Sequence, residues 1–342
     1  MPDSFAGVPL ELDFYGLPKA PKRPFRRVLI VFGAALLYAL FVRLVFGLKI
    51  AKEFAPIVSI SFLTLVPFAF GALVTFLGYR FCGPAGFWVF PAPMIVTTVG
   101  FIGSFVTHLE ALLCLVVAFP IMLPMAVLGG TAMGWILYHH SGKMFVSFVV
   151  LLPFLAAPIE ARWKAPHEEV SITDSIEIRA SPAEIWAEIA SVRAITRDEV
   201  PFQWIYLLGF PRPIAAELDR EGVGARRHAT FERNVSFFET VTEWEPQRAI
   251  AFTIKADPDF IPHTAFDQHI IVGGRFYDVL DGRYLIEPHE GGCRLVLTSN
   301  HRLSTPFNAY AGWWSRWVMN QVQSSILTVI KKRTEARSAL RS

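Results

Sequence analysis

Several stretches of this 342-residue chain carry side chains of the kinds that do chemistry. EGVGARRHATF, residues 221–231, sets two glycines beside two arginines and a histidine, the ingredients of an anion-binding nest. FIPHTAFDQH, residues 260–269, brings His263, Asp267 and His269 close enough in sequence to share a metal ion. Glu110 is a carboxylate inside a strongly apolar region, where acids commonly serve ion or proton traffic. His228 and His301 lie on alternating stretches, and each is the right type for a general base.

Each of these also has a plainer reading. A phosphate nest needs its glycines to lead into a helix N-terminus. After Gly224 the chain alternates instead, with Arg227, Ala229 and Phe231 on one face and Arg226, His228 and Thr230 on the other. The glycines then shape a turn or bulge at a strand's start. If Phe231 points inward so does Arg227, and a buried arginine needs a partner, either a protein carboxylate or the anionic head of a ligand. His263, Asp267 and His269 match no ligand motif and serve equally as polar residues of a loop. Glu110 shares a turn with His108, and Arg43, near the end of an apolar run, can reach the membrane interface along its own stem. Cys82, Cys114 and Cys293 have neither metal-ligand nor disulfide spacing. There is no phosphate loop, zinc-protease pattern or nucleophile elbow, and the sequence implies no cofactor.

The elements that must position these residues fall into two halves. Mean hydropathy is +0.41, and charge is unevenly spread. Residues 28–160 hold eight charged side chains, Arg43, Lys49, Lys52, Glu53, Arg80, Glu110, Lys143 and Glu160, against 45 in the 182 residues that follow. Domains are expected as a basic N-terminal tail (1–27), a transmembrane region of four to five helices (28–160), a linker (161–169), a folded domain (170–335) and a short tail (336–342). The apolar runs 28–48, 56–79, 87–107 and 144–159 read as spans, as does 109–138, kinked or re-entrant at Pro120, Pro124 and Gly129-Gly130. Lys19, Lys22, Arg23, Arg26 and Arg27 before the first run place the N-terminus in the cytoplasm. Five crossings then put the folded half outside the cytoplasm and four put it inside; Arg80 and Lys143 lean to five. A net charge of +3 is too small to imply nucleic acid, and the basic residues cluster as a membrane flank, so no nucleic-acid partner is expected.

In the second half, residues 170–179 alternate as a half-buried strand. SPAEIW follows, with Ser181 as N-cap, Pro182 at the first helical position and Glu184 closing a capping box. Strands are expected at 226–231, 237–244, 249–254, 274–277, 284–287 and 293–301, and a long helix from Asn308 to Arg333. Strand, short helix, antiparallel meander and closing helix compose an α+β helix-grip fold, a curved sheet around one helix.

On these residues the chain resembles the START-like (SRPBCC, polyketide cyclase/dehydrase and lipid transport) superfamily. The resembling pieces are IEIRASPAEIW, EGVGARRHATF, VTEWEPQRAIAF, GGCRLVLTS and the terminal helix ending IKKRTE, together about residues 170–335. HLEALLCLVVAFPIMLPMAVLGG is similar to a bacterial subgroup with membrane helices before this domain. The resemblance implies a hydrophobic cavity between sheet and last helix. Trp313, Trp314 and Trp317 on that helix, with Trp204, Tyr206, Phe231 and Phe238, are its expected lining, or else simply core.

The leading expectation is a multi-pass inner-membrane protein whose START-like domain binds a lipid or other hydrophobic small molecule for transfer or sensing, with Arg227 available to an anionic head. Its partners are the bilayer and that ligand. The alternatives are a cyclase or dehydrase using His228 or His301, and a transporter or sensor centred on Glu110.

Overall fold

The computed structural model describes residues 24–47, 58–140, 142–256 and 272–340. The chain divides into two compact units, Met1–Glu110 with Leu115–Lys164, and Ala165–Ser342 with Ala111–Cys114.

The apolar unit is helical. It contains α1 (Pro24–Gly47), a π-helical turn (Ser61–Leu65) running into α2 (Val66–Cys82), α3 (Gly86–Val89), α4 (Pro91–Val106), α5 (Leu112–His139) and α6 (Lys143–Glu160). Among the described residues, four helices are long and apolar enough to cross a membrane, and Pro91–Val106 is a shorter apolar helix. The run expected as one span at 87–107 is broken at Phe90 (φ −122°, ψ −60°), where Pro91 and Pro93 deny the preceding turn its amide donors. The stretch 109–138 is instead one helix that carries Pro120 and Pro124 inside it.

Packing here relies on small residues. A Cβ on Gly71 would sit 1.8 Å from the Ala126 carbonyl oxygen, and one on Gly129 would sit 1.9 Å from that of Phe68. Backbones approach this closely only where side chains are absent. Both acids among the described residues of this unit have partners. The Arg43 Nε donates to Glu110, so the acid that stood alone in the sequence has a cation beside it. Glu160 accepts from the Ile60 and Ser61 amides (2.6 and 2.8 Å) and the Ser61 hydroxyl, capping amides that the start of a helix leaves unpaired. Outward, Leu37, Phe41, Leu44, Leu128, Trp135, Phe148, Leu151 and Leu155 are all exposed, a surface suited to hydrocarbon.

The second unit is α+β. β1 (Glu168–Ile178), α7 (Pro182–Ala190), α8 (Trp204–Leu207), β2 (Pro213–Leu218), β3 (Arg226–Phe231), β4 (Val235–Glu245), β5 (Ala249–Ala256), β6 (Tyr277–His289), β7 (Gly292–Leu303) and α9 (Asn308–Ala339) follow in order. One seven-stranded sheet runs β1-β7-β6-β5-β4-β3-β2 with every neighbour antiparallel. With its closing helix, this arrangement fits a helix-grip fold. The capping box at Ser181 and Glu184 is formed, and Ile185 and Ile189 on α7 are fully buried.

Two strands differ from expectation. The two short strands expected at 274–277 and 284–287 are replaced by one strand, β6, which starts at Tyr277 and runs through the intervening Asp281-Gly282, paired with Thr253 and Phe252 of β5. A Cβ on Gly282 would meet the Phe252 ring at 2.8 Å, so glycine makes room for a neighbouring aromatic. β2, PIAAEL, is an edge strand whose leading proline and short residues carry little strand signal.

The core lies between sheet, α7 and α9: Ile185, Ile189, Val241, Ile250, Phe252, Tyr284, Leu295, Leu297, Leu327 and Ile330 form one buried cluster. Along β7 every second residue from Cys293 to Leu303 is buried, including the polar Ser299 and His301. Gln323 of α9 donates to the Ser299 hydroxyl (2.7 Å) and the Ile172 carbonyl (3.3 Å).

Candidate functional site

Within the α+β unit a half-open pocket of about 550 Å³ lies at the β2 edge of the sheet. Ile195, Val200, Phe210, Pro213 and Ile214 form its apolar wall, and Thr196, Arg197, Tyr206, Arg212, Glu232 and Arg233 its polar side.

Three local structures hold these residues. After α7 the chain doubles back along β2, with Val192 and Ala216 exchanging amide bonds (2.8 and 2.7 Å) and the Ile195 amide reaching the Ile214 carbonyl (2.7 Å). Arg333 of α9 clamps this loop. Its guanidinium donates to the Arg193 and Ala194 carbonyls (2.6 and 2.8 Å) and to both Glu199 oxygens (2.6 and 2.8 Å). Glu199 in turn accepts from the Thr196 amide (2.7 Å) and hydroxyl (3.0 Å). Hydrogen bonding from Arg333 holds the Glu199 carboxyl down at about 2.

The second structure is α8, one helical turn. Ile205 is fully buried, Tyr206 reaches the pocket and donates to the Ser325 hydroxyl of α9 (2.7 Å), and Gly209 (φ +91°) ends the turn. The third is the corner between β3 and β4, where Arg233 and Asn234 take left-handed conformations (φ 58° and 60°) and present Glu232 and Arg233 to the pocket.

Glu232 is the electrostatic centre. It accepts from Arg197 Nε (2.9 Å) and lies 3.6 Å from Arg212 Nη1. Desolvation alone would raise its carboxyl, but Arg197 and Arg212 outweigh that and hold it below the usual carboxylate range. The Arg212 guanidinium also lies over the Tyr206 ring at 5.1 Å. Two guanidiniums therefore engage one ionised carboxylate beside an apolar wall, and Arg233 adds a third cation to the lining. The arrangement sets cationic and apolar groups side by side. Glu232, ionised and engaged by two arginines, is poorly suited to moving protons.

The residues singled out from sequence are dispersed. Arg227 does point inward, and its partner is a protein carboxylate: Nη1 donates to Glu239 at 2.6 Å, with both side chains buried. Desolvation opposes the Arg227 charge, but Glu239 and Tyr284 outweigh it and keep the guanidinium above its ordinary value; Glu239 itself is pushed up by burial and only partly drawn back by Arg227. The Arg227 guanidinium also covers the Phe252 ring at 5.1 Å. It is thus committed to the core instead of being available to a ligand's head group.

Phe231 shares the Arg227 face and packs edge-on against Phe237. Phe238 lies on the opposite face, exposed and stacked on the exposed His228 at 5.0 Å. Those two residues cannot line the same cavity as Phe231, because neighbours along a strand alternate faces. His301 is fully buried on β7, its Nε2 2.9 Å from the Ser315 hydroxyl and its ring 5.3 Å from Tyr277. Burial, aided by the Arg316 charge, lowers it to about 4. Trp314 and Trp317 pack together on α9 (5.7 Å), and Trp204 is exposed on α8 beside Phe202 (5.4 Å). None of these lines the 550 Å³ pocket; of the aromatics expected at a cavity, Tyr206 does. His263, Asp267 and His269 lie outside the described residues.

α9 meets the sheet at both of its ends. Leu327 and Ile330 join the sheet's core at one end, and Ala311 and Met319 pack with Leu303 at the other. Sequence reasoning passed over Arg197, Arg212, Glu232 and Arg233. The available signal was FPRP, 210–213, where a lone cation sits between two prolines beside apolar residues.

No family model and no curated protein matches the chain. Solved structures match about half of it at low identity. XoxI from Bacillus cereus is 13% identical, the match covering 48% of this chain and 95% of that one with a TM-score of 0.31. A Thermus thermophilus protein, TTHA0849, is 18% identical over 50% and 99%, TM-score 0.32. A norcoclaurine synthase point mutant from Thalictrum flavum, in complex with a transition-state analogue, is 13% identical over 50% and 99%, TM-score 0.30. At such scores the fold assignment rests on strand order and closing helix, not on these likenesses.

Proposed function

We propose that this chain is a membrane-embedded protein of the START-like kind whose α+β unit binds an amphiphilic anion, a lipid or similar molecule with an apolar body and a carboxylate or phosphate head. The observation that carries this reading is the pocket lined by three cations, Arg197, Arg212 and Arg233, and the single carboxylate Glu232, beside Ile195, Val200, Phe210 and Ile214. The apolar body lies against that wall, and the head meets the guanidiniums. Membrane anchorage is supported by four long apolar helices with outward-facing leucine and phenylalanine. Tethering a lipid site beside its source keeps the effective concentration of a poorly soluble ligand high. Transfer or sensing of that ligand is the role proposed, in a bacterial inner membrane with the N-terminus in the cytoplasm.

Native mass spectrometry of the full chain purified in detergent tests the reading. The wild type is expected to carry a co-purifying amphiphile, lost from Arg212→Glu and Ile214→Asp variants that keep the wild-type circular dichroism spectrum. A wild type devoid of bound amphiphile in every detergent, or variants that retain it fully, would overturn the reading.

A further inference from the structure

A second surface of the α+β unit stands beside the pocket. Phe202, Trp204, Leu207 and Trp313 are 66, 62, 59 and 59% exposed. Large apolar side chains gathered in water mark a docking surface.

α8 links this surface to the pocket. Trp204 and Leu207, three residues apart, share its outer face, Ile205 anchors it in the core, and Tyr206 turns into the pocket. The Ile205 amide lies 3.4 Å from the Gln321 Oε1 of α9. Trp313, Trp317 and Gln321 follow at four-residue spacing, so they lie along one stripe of α9 about 12 Å long. Trp313, Trp314 and Trp317 stack edge-on in succession (4.8 and 5.7 Å).

The segments that carry these aromatics hold cations and no acids: residues 200–216 contain Arg212, and residues 305–330 contain Arg316, which is exposed beside Trp317. Indole rings with scattered cations match the interface of an anionic bilayer, where tryptophan places its amphipathic ring at headgroup depth and basic groups meet lipid phosphates. The same chain carries four helices fit to cross such a bilayer.

We infer that Phe202, Trp204, Leu207, Trp313 and Trp317 form a face that docks on the interface of an anionic phospholipid bilayer. What docking accomplishes rests on the ligand reading above: it sets the pocket mouth, one helical turn away, against the lipid that supplies the ligand.

The test uses the full chain in vesicles of equal parts phosphatidylcholine and phosphatidylglycerol. Cys82 and Cys114 are replaced by alanine, and Trp204→Cys, Trp313→Cys or Thr253→Cys is labelled with an environment-sensitive fluorophore. Thr253, exposed on β5, is the control, and the parent without an added cysteine reports any labelling of the buried Cys293. Labels at 204 and 313 are expected to emit blue-shifted light and to lose intensity with doxyl-labelled lipid, whereas the label at 253 does neither. Blue-shifted but unquenched labels would mean that protein, either the rest of the chain or a second copy, covers the face, and would overturn the inference; so would labels that behave as at 253. Quenching in a protein that carries no amphiphile keeps the docking face and removes the ligand. Bound amphiphile with unquenched labels removes the docking face alone.

Discussion

Arg227 is a guanidinium held in the core of the sheet, over the Phe252 ring. Alternation through EGVGARRHATF placed its side chain on the Phe231 face, and burial then required a partner. That partner is Glu239, directly opposite in the β3–β4 register. The partner was hidden because pairing depends on the corner at Arg233 and Asn234, whose left-handed conformations no propensity announces. Removing either charge leaves the other buried and unpaired, so Arg227→Ala or Glu239→Ala is expected to cost about 3–5 kcal/mol. The double change Arg227→Met with Glu239→Leu should cost far less than either. Thermal unfolding followed by near-ultraviolet circular dichroism distinguishes these outcomes, and equal losses for single and double variants would contradict a buried pair. His228 and Phe238 teach the complementary lesson: both are aromatic and near Arg227 in space, yet face parity alone removes them from its side of the sheet.

At the scale of elements, periodicity and caps were informative where local chemistry decides the structure. The capping box of α7, the alternation of β7 and the length of α9 are all local signals. β2 was missed because its strand character comes from β3 beside it, and the middle of β6 was left out because Gly282 carries no strand signal, its reason being the Phe252 ring on another strand. The pocket was missed for the same cause, since it is assembled from the loop after α7, α8 and the β3–β4 corner. Arg333 ties the first of these to α9. Replacing it, as in Arg333→Met, should speed amide hydrogen exchange in residues 193–200 while leaving β6 and β7 protected; unchanged exchange would deny the clamp. The pH dependence follows from Glu199. Its folded pKa lies below the unfolded value, so its contribution is fully present above about pH 4.5 and is lost as pH falls through about 2. The Arg333→Met variant should lose that dependence.

For the whole molecule, charge distribution alone separates an apolar from an ordinary half, and the two compact units meet in the sequence at Lys164 and Ala165, with Ala111–Cys114 grouped with the second. Crossing number was harder, because prolines interrupt the apolar runs. α4 alone, with 16 residues and a length of about 24 Å, falls short of a core of roughly 30 Å, and α3 is set off from it at Phe90. We propose that α3 and α4 make a fifth crossing, which with a cytoplasmic N-terminus sets the α+β unit outside the cytoplasm. A reporter fused at Ser342 should then register outside, and a cytoplasmic signal would reduce the count to four. The central claim is that the pocket beside α8 takes an amphiphilic anion. Its most direct test is photo-crosslinking with a diazirine-bearing fatty acid in vesicles containing the full chain, followed by peptide mapping. Adducts are predicted within residues 195–214 and 232–233; adducts confined to the apolar helices, or to the facing surfaces of β7 and α9, would contradict it.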